Sequence, residues 1–167
     1  MSNGANKKVS AWSAKKNAKS VVREHAHHAY GSKSTALLSP KAKSFAPADV
    51  IQRVAKGLPF SELETLRSEI DEPLDSLARR LSISRSTLQR RRSEHRLSPQ
   101  ESDRVMRFWR LLQHATKVFG DVARARQWLK FPQRGLGAAV PLDYASTEVG
   151  AREVENLLGR IDYGVYS

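Results

Sequence analysis

The amino-acid sequence predicts an all-α protein. Between residues 50 and 161, apolar residues recur at intervals of three and four, which is the spacing of an amphipathic helix. Prolines, glycines and helix-capping residues separate these segments, and no segment alternates apolar and polar residues as a half-buried strand would. With 167 residues, the chain has the length of one domain or of two small ones.

The first half of this pattern predicts four short helices. One covers residues 50–55 and ends at Gly57-Leu58-Pro59, and a second covers residues 61–70. A third begins near Asp71-Glu72-Pro73, because acidic residues and a proline suit the first turn of a helix. The fourth covers residues 85–95, where a leucine and several arginines share a short segment.

The second half predicts three further helices. A capping box at Ser98-Pro99-Gln100-Glu101 opens the longest one, over residues 99–119. Gly120-Asp121 ends that helix and caps the next, over residues 122–130. A loop that contains glycines follows, and the last helix covers residues 147–161.

Residues 74–93, with the sequence LDSLARRLSISRSTLQRRRS, have the pattern of a helix-turn-helix. Ile83 is expected to fill the turn between the two helices. Ser84 can cap the second helix by accepting a hydrogen bond from the Thr87 N–H. Leu88 then points towards the core, so the opposite side of the second helix faces outward.

The outward side of this second helix carries residue types that suit the major groove of DNA. Helical spacing places Ser86, Gln89, Arg90 and Ser93 there, with Arg85 beside them. Arginine pairs with guanine, glutamine pairs with adenine, and hydroxyl groups reach phosphates. The predicted DNA-contacting residues are Ser84, Arg85, Ser86, Thr87, Gln89, Arg90 and Arg92. The alternative is an ordinary pair of packed helices whose arginine-rich side is only solvated.

Two residues depart from the usual helix-turn-helix pattern. Ser82 stands where such turns prefer a glycine, so a left-handed backbone there would be strained. Arg91 lies three residues beyond Leu88, where a core residue is common, and its side chain is expected to reach out along the apolar surface. The same short segment contains only one acidic residue and four further arginines, which are Arg85, Arg90, Arg92 and Arg96. A bound polyanion would relieve the repulsion between these like charges.

The net charge of +12 is concentrated at the amino-terminal end. Residues 1–56 contain eleven basic and only two acidic residues, and few large apolar ones. We therefore expect residues 1–46 to form a basic, disordered leader. Three interpretations of this leader stay open: a tail with weak affinity for phosphates, a solvated tail without a specific role, and an organellar transit peptide.

The composition argues against several other classes of protein. The chain has no cysteine, which rules out disulfides, thiolate nucleophiles and cysteine-type zinc sites, and no run of 18 apolar residues that would predict a membrane span. No catalytic arrangement of side chains is evident, so we expect a binding protein that is not an enzyme and needs no cofactor. His25, His27 and His28 lack a carboxylate or cysteine to complete a metal site. Trp109 is either a core residue or part of a partner surface.

An ordered succession of short motifs resembles the Xre/MbcA/ParS-type antitoxins over residues 50–167. In chain order the motifs are SRSTLQRR at 84–91, RLSPQESDR at 96–104, VFG at 118–120, WLKFP at 128–132, LG at 136–137, PLD at 141–143, TEVGA at 147–151 and YG at 163–164. The sequence departs from the family at Ala138, where a second glycine is expected.

The resemblance implies a helix-turn-helix DNA-binding domain over residues 47–97 and a helical toxin-binding domain with a C-terminal tail over residues 98–167. It implies a homodimer that inhibits a RES-type toxin, an NAD-consuming enzyme, and that represses its own operon by binding operator double-stranded DNA. It also implies a protein of the bacterial cytoplasm, associated with DNA and not with a membrane. The alternative is a stand-alone transcriptional regulator without a toxin partner.

The resemblance also implies which residues meet the toxin. Members of the family are expected to present their C-terminal end to the active-site pocket of the toxin. In this sequence that end consists of Arg160, Tyr163, Gly164, Val165 and Tyr166. Tyrosines and a valine beyond the last helix suit a protein interface, since amphipathic aromatic residues often anchor one. Alternatively, the two tyrosines fold back onto the core of their own domain.

Overall fold

The computed structural model describes residues 47–165, and all regular structure in that range is helical. The predicted leader, 1–46, and Tyr166 lie outside the described residues. The elements are α1 (Pro47–Lys56), α2 (Phe60–Ile70), α3 (Leu74–Arg80), α4 (Arg85–Glu94), α5 (Pro99–Phe119), α6 (Val122–Lys130), a 3-10 helix (Arg134–Leu136), α7 (Pro141–Tyr144) and α8 (Glu148–Asp162). The all-α prediction is confirmed for these residues.

The predicted helix boundaries agree with the observed ones to within a few residues, and the capping signals explain why. The Ser98 hydroxyl accepts from the Glu101 N–H at 3.2 Å, and the Glu101 carboxylate accepts from the Ser98 N–H at 2.7 Å, so both halves of the predicted capping box form. Gly120 ends α5 in a left-handed conformation, and Asp121 caps α6.

Two short helices were not predicted. The glycine-containing loop between α6 and α8 folds into the 3-10 helix and into α7, each only three or four residues long. An apolar period needs more than one turn to be visible in a sequence, so elements of this length leave almost no signal. Pro141 at the first turn of α7 was the only indication.

Helix α5 forms the centre of the molecule. Its buried residues are Glu101, Ser102, Val105, Phe108, Trp109, Leu111, Leu112 and Ala115. Helix α5 packs against α1 and α2 and also against α6 and α8, so elements of both predicted domains pack on this helix. Trp109 is only 1% exposed, which identifies it as a core residue and not as part of a partner surface.

Ion pairs link several of these elements, and the pair between Arg80 and Asp143 joins the two predicted domains. Arg80 of α3 pairs with Asp143 of α7 and, at 3.2 Å, with Glu72. Arg107 of α5 donates to Glu148 of α8 at 2.9 Å. All described residues belong to one compact unit. No helix within residues 47–165 is long and apolar enough to cross a membrane.

Helices α3 and α4 form the predicted helix-turn-helix. Ile83 and Leu88 are buried, as the pattern predicts, and Ala78 of α3 is buried as well. Ser82 adopts a left-handed backbone, with φ of 54°, at the position where a glycine would carry no steric penalty. Ala138 does the same, with φ of 65°, where the family resemblance predicts a glycine. At both positions where a glycine is expected, the backbone is therefore left-handed although the residue carries a side chain.

Candidate functional site

The outward side of α4, which we call the arginine face, consists of Arg85, Ser86, Gln89, Arg90 and Ser93. All five side chains are exposed, on the side that helical spacing predicts. The Arg90 side chain is 61% exposed, and its nearest carboxylate oxygen, on Glu94, is 3.8 Å away. Both charges and hydrogen-bonding groups on this face are therefore accessible to a partner.

The first turn of α4 is fixed by its own hydroxyl groups. The Ser84 hydroxyl accepts from the Thr87 N–H at 3.2 Å, as predicted for a cap, and donates to the Thr87 hydroxyl at 2.9 Å. The hydroxyl oxygen of Ser86 lies 3.0 Å from the hydroxyl oxygen of Ser84. Of the predicted DNA-contacting residues, Ser84 and Thr87 thus already have partners within the chain, and Thr87 is half-buried.

Arg91 points inward and ties α4 to the first turn of α5. Its Nε donates to Glu101 Oε2 at 2.7 Å, and its Nη1 donates to Glu94 Oε2 at 2.6 Å. Glu101 Oε2 is also the atom that accepts from the Ser98 N–H. One carboxylate oxygen therefore both caps α5 and fixes the rotation of α4, through an arginine that is only 18% exposed.

The pKa values of this pair reflect the contact. Burial alone would raise the pKa of Glu101, but hydrogen bonds from the Ser98 N–H and from Arg91 outweigh burial and lower it below its ordinary value of 4.5. The hydrogen bonds to Glu101 and Glu94 raise the pKa of Arg91. Both groups are charged at neutral pH, so the contact is a charge-assisted hydrogen bond.

The remaining two arginines of the cluster are partly engaged. The Arg92 guanidinium lies 5.9 Å from the centre of the Phe60 ring and 3.7 Å from Glu64 of α2. Arg96 lies beyond the end of α4, and its Nη1 donates to the Gly57 carbonyl at 2.8 Å. Arg96 therefore anchors the chain between α1 and α2 and does not belong to the arginine face.

The second surface is the C-terminal end, of which the structure describes Arg160, Tyr163, Gly164 and Val165; we call these four residues the tail surface. Tyr163 is 84% exposed and Val165 is 57% exposed. The Val165 N–H donates to the Arg160 carbonyl at 2.9 Å, in a turn where Gly164 has a positive φ of 71°. Tyr163 therefore does not fold back onto its own core.

Beside the tail surface lies a groove that the sequence did not predict. Helices α5, α6 and α8 and the 3-10 helix line a volume of about 620 Å³, with Phe119, Trp128, Leu157 and Ile161 among its apolar residues. Arg134 also lines it. The WLKFP motif was the available signal, because it combines aromatic residues with a helix end, but it does not show which residues meet across the fold.

No metal centre is evident in residues 47–165, where no group of three or more histidine, aspartate or glutamate side chains lies together. The histidine cluster at positions 25, 27 and 28 falls outside the described residues.

Two family models match the described residues. Residues 49–110 match the Antitoxin Xre-like helix-turn-helix domain, and residues 114–164 match the Antitoxin Xre/MbcA/ParS C-terminal toxin-binding domain. The first contains the arginine face. The second match contains Arg160, Tyr163 and Gly164 of the tail surface and the other residues that line the groove. Val165 lies one residue beyond the end of this match. The boundary between the matches falls within α5.

Three curated relatives are each named Antitoxin Xre. The protein from Yersinia enterocolitica is 33% identical over 120 residues, which cover 71% of this chain and 81% of the relative. The protein from Photorhabdus laumondii is 43% identical over 84 residues, covering 50% of this chain and 57% of that protein. The protein from Pseudomonas putida is 28% identical over 146 residues, which cover 86% of this chain and 89% of that protein.

The similarity to the Yersinia protein spans most of both chains, and the two family models match adjacent parts of the described fold in the predicted order. The protein therefore belongs to the Xre antitoxin family, with a helix-turn-helix domain followed by a C-terminal toxin-binding domain.

Proposed function

We propose that this protein inhibits a RES-type toxin that consumes NAD, and represses its own operon by placing the arginine face of α4 in the major groove of operator DNA. The observation that carries the proposal is the presence of two unlike exposed surfaces in one compact unit. One is basic and polar and lies in the helix-turn-helix domain; the other is aromatic and lies in the toxin-binding domain.

The composition of the arginine face supports DNA as its partner. Arg85, Gln89 and Arg90 can form paired hydrogen bonds with base edges, and Ser86 and Ser93 can reach the backbone. The helix beneath them is held by Leu88 in the core and by Arg91 on Glu101. A recognition helix must be fixed in this way, because a small rotation would move every side chain away from its base.

The tail surface supports a protein partner. Tyr163 and Val165 are large and exposed, and Arg160 near them is exposed too; such residues anchor many interfaces. We propose that this end of the chain, including Tyr166, enters the active-site pocket of the toxin and blocks access of NAD. Operator half-sites related by a two-fold axis would be bound by a homodimer, within a larger complex with the toxin in the bacterial cytoplasm.

A double substitution, Gln89→Ala with Arg90→Ala, tests the DNA-binding part. Each lost base contact costs about 1–3 kcal/mol, so operator affinity should fall by roughly 30-fold or more in a gel-shift assay, with toxin binding unchanged. The matched control is Arg124→Ala with Gln127→Ala, an exposed arginine and glutamine on α6. Unchanged operator affinity in the Gln89 and Arg90 variant would reject the assignment of this face.

Deletion of residues 165–167 tests the toxin-binding part. Cells that express the toxin with the shortened protein should stop growing, while operator binding in the gel-shift assay stays intact. Continued growth would contradict the proposed role of the C-terminal end. If the operon encodes no NAD-consuming enzyme and the chain still binds its promoter, the protein is instead a stand-alone regulator.

A further inference from the structure

The groove beside the tail surface has an apolar floor that the fold leaves open. Phe119 and Trp128 both line it, with their ring centroids 5.7 Å apart, and both are only half-buried. Leu157 and Ile161 of α8 also line the groove and are half-buried. Exposed apolar surface that is gathered into a concave site typically marks an interaction site.

The charges around this groove have one sign. Among residues 47–165, Arg134 and Arg160 line it, and no aspartate or glutamate does. Neither arginine has an ion pair among the described residues, whereas other arginines of the same region do. Arg152 of α8 pairs with Glu148 at 3.4 Å, and Arg110 pairs with Glu155. The groove therefore combines an apolar floor with two unpaired guanidinium groups.

This combination selects among partners. A DNA duplex offers phosphates, but its thymine methyl groups lie within the major groove and do not project into a concave site. A protein segment can supply both an apolar side chain and a neighbouring carboxylate, which arginine binds with two parallel hydrogen bonds. The groove also adjoins Val165 of the tail surface, so a partner bound at the tail would extend over it.

We propose that the groove receives an apolar side chain of the toxin, on a segment whose adjacent aspartate or glutamate pairs with Arg134. This inference rests on the proposed function and adds a second, reciprocal contact to it. The tail enters the toxin, and a segment of the toxin enters the antitoxin. The acidic neighbour distinguishes this segment from a purely apolar one, and it makes part of the affinity dependent on ionic strength.

The test measures the affinity of the full-length protein for the purified toxin of its own operon by titration calorimetry. Arg134→Glu should weaken binding by at least about tenfold, because it replaces an attractive charge with a repulsive one. Ile161→Ser should weaken binding to a similar degree by making the floor polar. Arg152→Glu, with the same charge change on α8 but outside the groove, should stay within about twofold of the wild-type affinity.

Each outcome bears on the proposal. Arg134 is exposed and has no ion pair within residues 47–165, so its variant keeps the fold even if Ile161→Ser does not. An Arg134→Glu variant that binds toxin as tightly as Arg152→Glu overturns the groove proposal and leaves the proposed function standing. Loss of operator binding in Arg134→Glu overturns it in favour of a DNA contact. A wild-type protein that does not bind the toxin overturns both proposals together.

Discussion

The arginine face and the tail surface both carry exposed arginines, but the residues around those arginines differ. The arginine face surrounds its guanidinium groups with serine and glutamine and exposes no large apolar side chain. Within the described range, most exposed large apolar residues lie beyond residue 130 instead, and Phe131, Tyr163 and Val165 are among them. An arginine among hydroxyl and amide groups suits a wet, polyanionic partner, and an arginine beside aromatic residues suits a protein.

The two surfaces also lie at opposite ends of α5. The recognition helix is attached through Glu101 in the first turn of α5, and the groove is lined by Phe119 in its last turn. At 1.5 Å per residue, these positions are about 27 Å apart. Each surface can therefore be changed separately, and each change should affect one partner more than the other.

Ionic strength should separate the two surfaces most strongly. An interface with six or more phosphate contacts loses roughly a thousandfold in affinity between 50 and 200 mM salt. We expect that loss for operator DNA, whereas toxin affinity, with two arginines at its surface, should fall by less than about tenfold. Fluorescence anisotropy over a salt series measures both. Equal slopes of log affinity against log salt concentration for operator DNA and toxin would contradict the distinction between the two surfaces.

Gly150→Ala should damage the toxin-binding end. A β-carbon at this position of α8 would overlap the Tyr144 carbonyl oxygen, which is backbone and cannot move aside. We expect a loss of about 3 kcal/mol in the free energy of unfolding, and a larger loss of toxin affinity than of operator affinity. Gly159→Ala on the same helix meets nothing within 4 Å and should be neutral or gain about 0.5 kcal/mol. Similar thermal unfolding of the two variants would show that α8 does not pack as described.

Glu101→Gln should weaken operator binding without affecting toxin binding. Glutamine retains the capping box but removes the charge that holds Arg91, so α4 should lose its fixed rotation at a cost of about 1–2 kcal/mol. The matched control is Glu153→Gln, an exposed glutamate of α8. If both variants bind the operator equally well, Arg91 does not position the recognition helix.

The same contact sets a pH dependence. Because the folded pKa of Glu101 is lower than its ordinary value, the carboxylate stabilises the fold above about pH 4.5, and this stability is lost as the pH falls through the lower, folded pKa. The difference in unfolding free energy between the wild type and Glu101→Gln should therefore be constant near neutral pH and shrink in acid. Urea unfolding of both proteins from pH 3 to pH 7 measures this difference in unfolding free energy. A difference that grows in acid would contradict the lowered pKa of Glu101.

Two glycine substitutions should have the smallest effects, one in each region. Ser82→Gly and Ala138→Gly each remove a left-handed residue that carries a side chain, and the entropy cost of glycine offsets part of the gain. We expect each to add about 0.5 kcal/mol to the free energy of unfolding. Gly137→Ala, at φ of 63° with no atom near its β-carbon, should lose about 1 kcal/mol. Destabilisation by Ala138→Gly would contradict the backbone assignment of this loop.

The predictable parts of this fold are those that the sequence encodes locally. The Ser98 capping box, the Gly120-Asp121 junction and the burial of Leu88 each depend on residues within one or two turns. The turn at Ser82 was also recognisable, because its strain follows from a known motif.

The remaining features depend on how distant elements meet. Arg91 is bound by Glu101 because α4 crosses the start of α5, and the groove exists because Phe119, Trp128 and Ile161 converge from three helices. No local pattern predicts either contact. The exposure of Tyr163 was likewise open from the sequence, since packing against the core and projection into solvent fit the same residues.

The most direct test of two separate binding surfaces is to record amide chemical shifts of the isotope-labelled protein, free, with operator DNA and with the toxin. Operator DNA should shift the signals of residues 84–92 and leave residues 131–165 unchanged, and the toxin should produce the reverse pattern. If both partners shift the same residues, or if DNA leaves the signals of α4 unchanged, the division of function between the two ends of α5 is wrong.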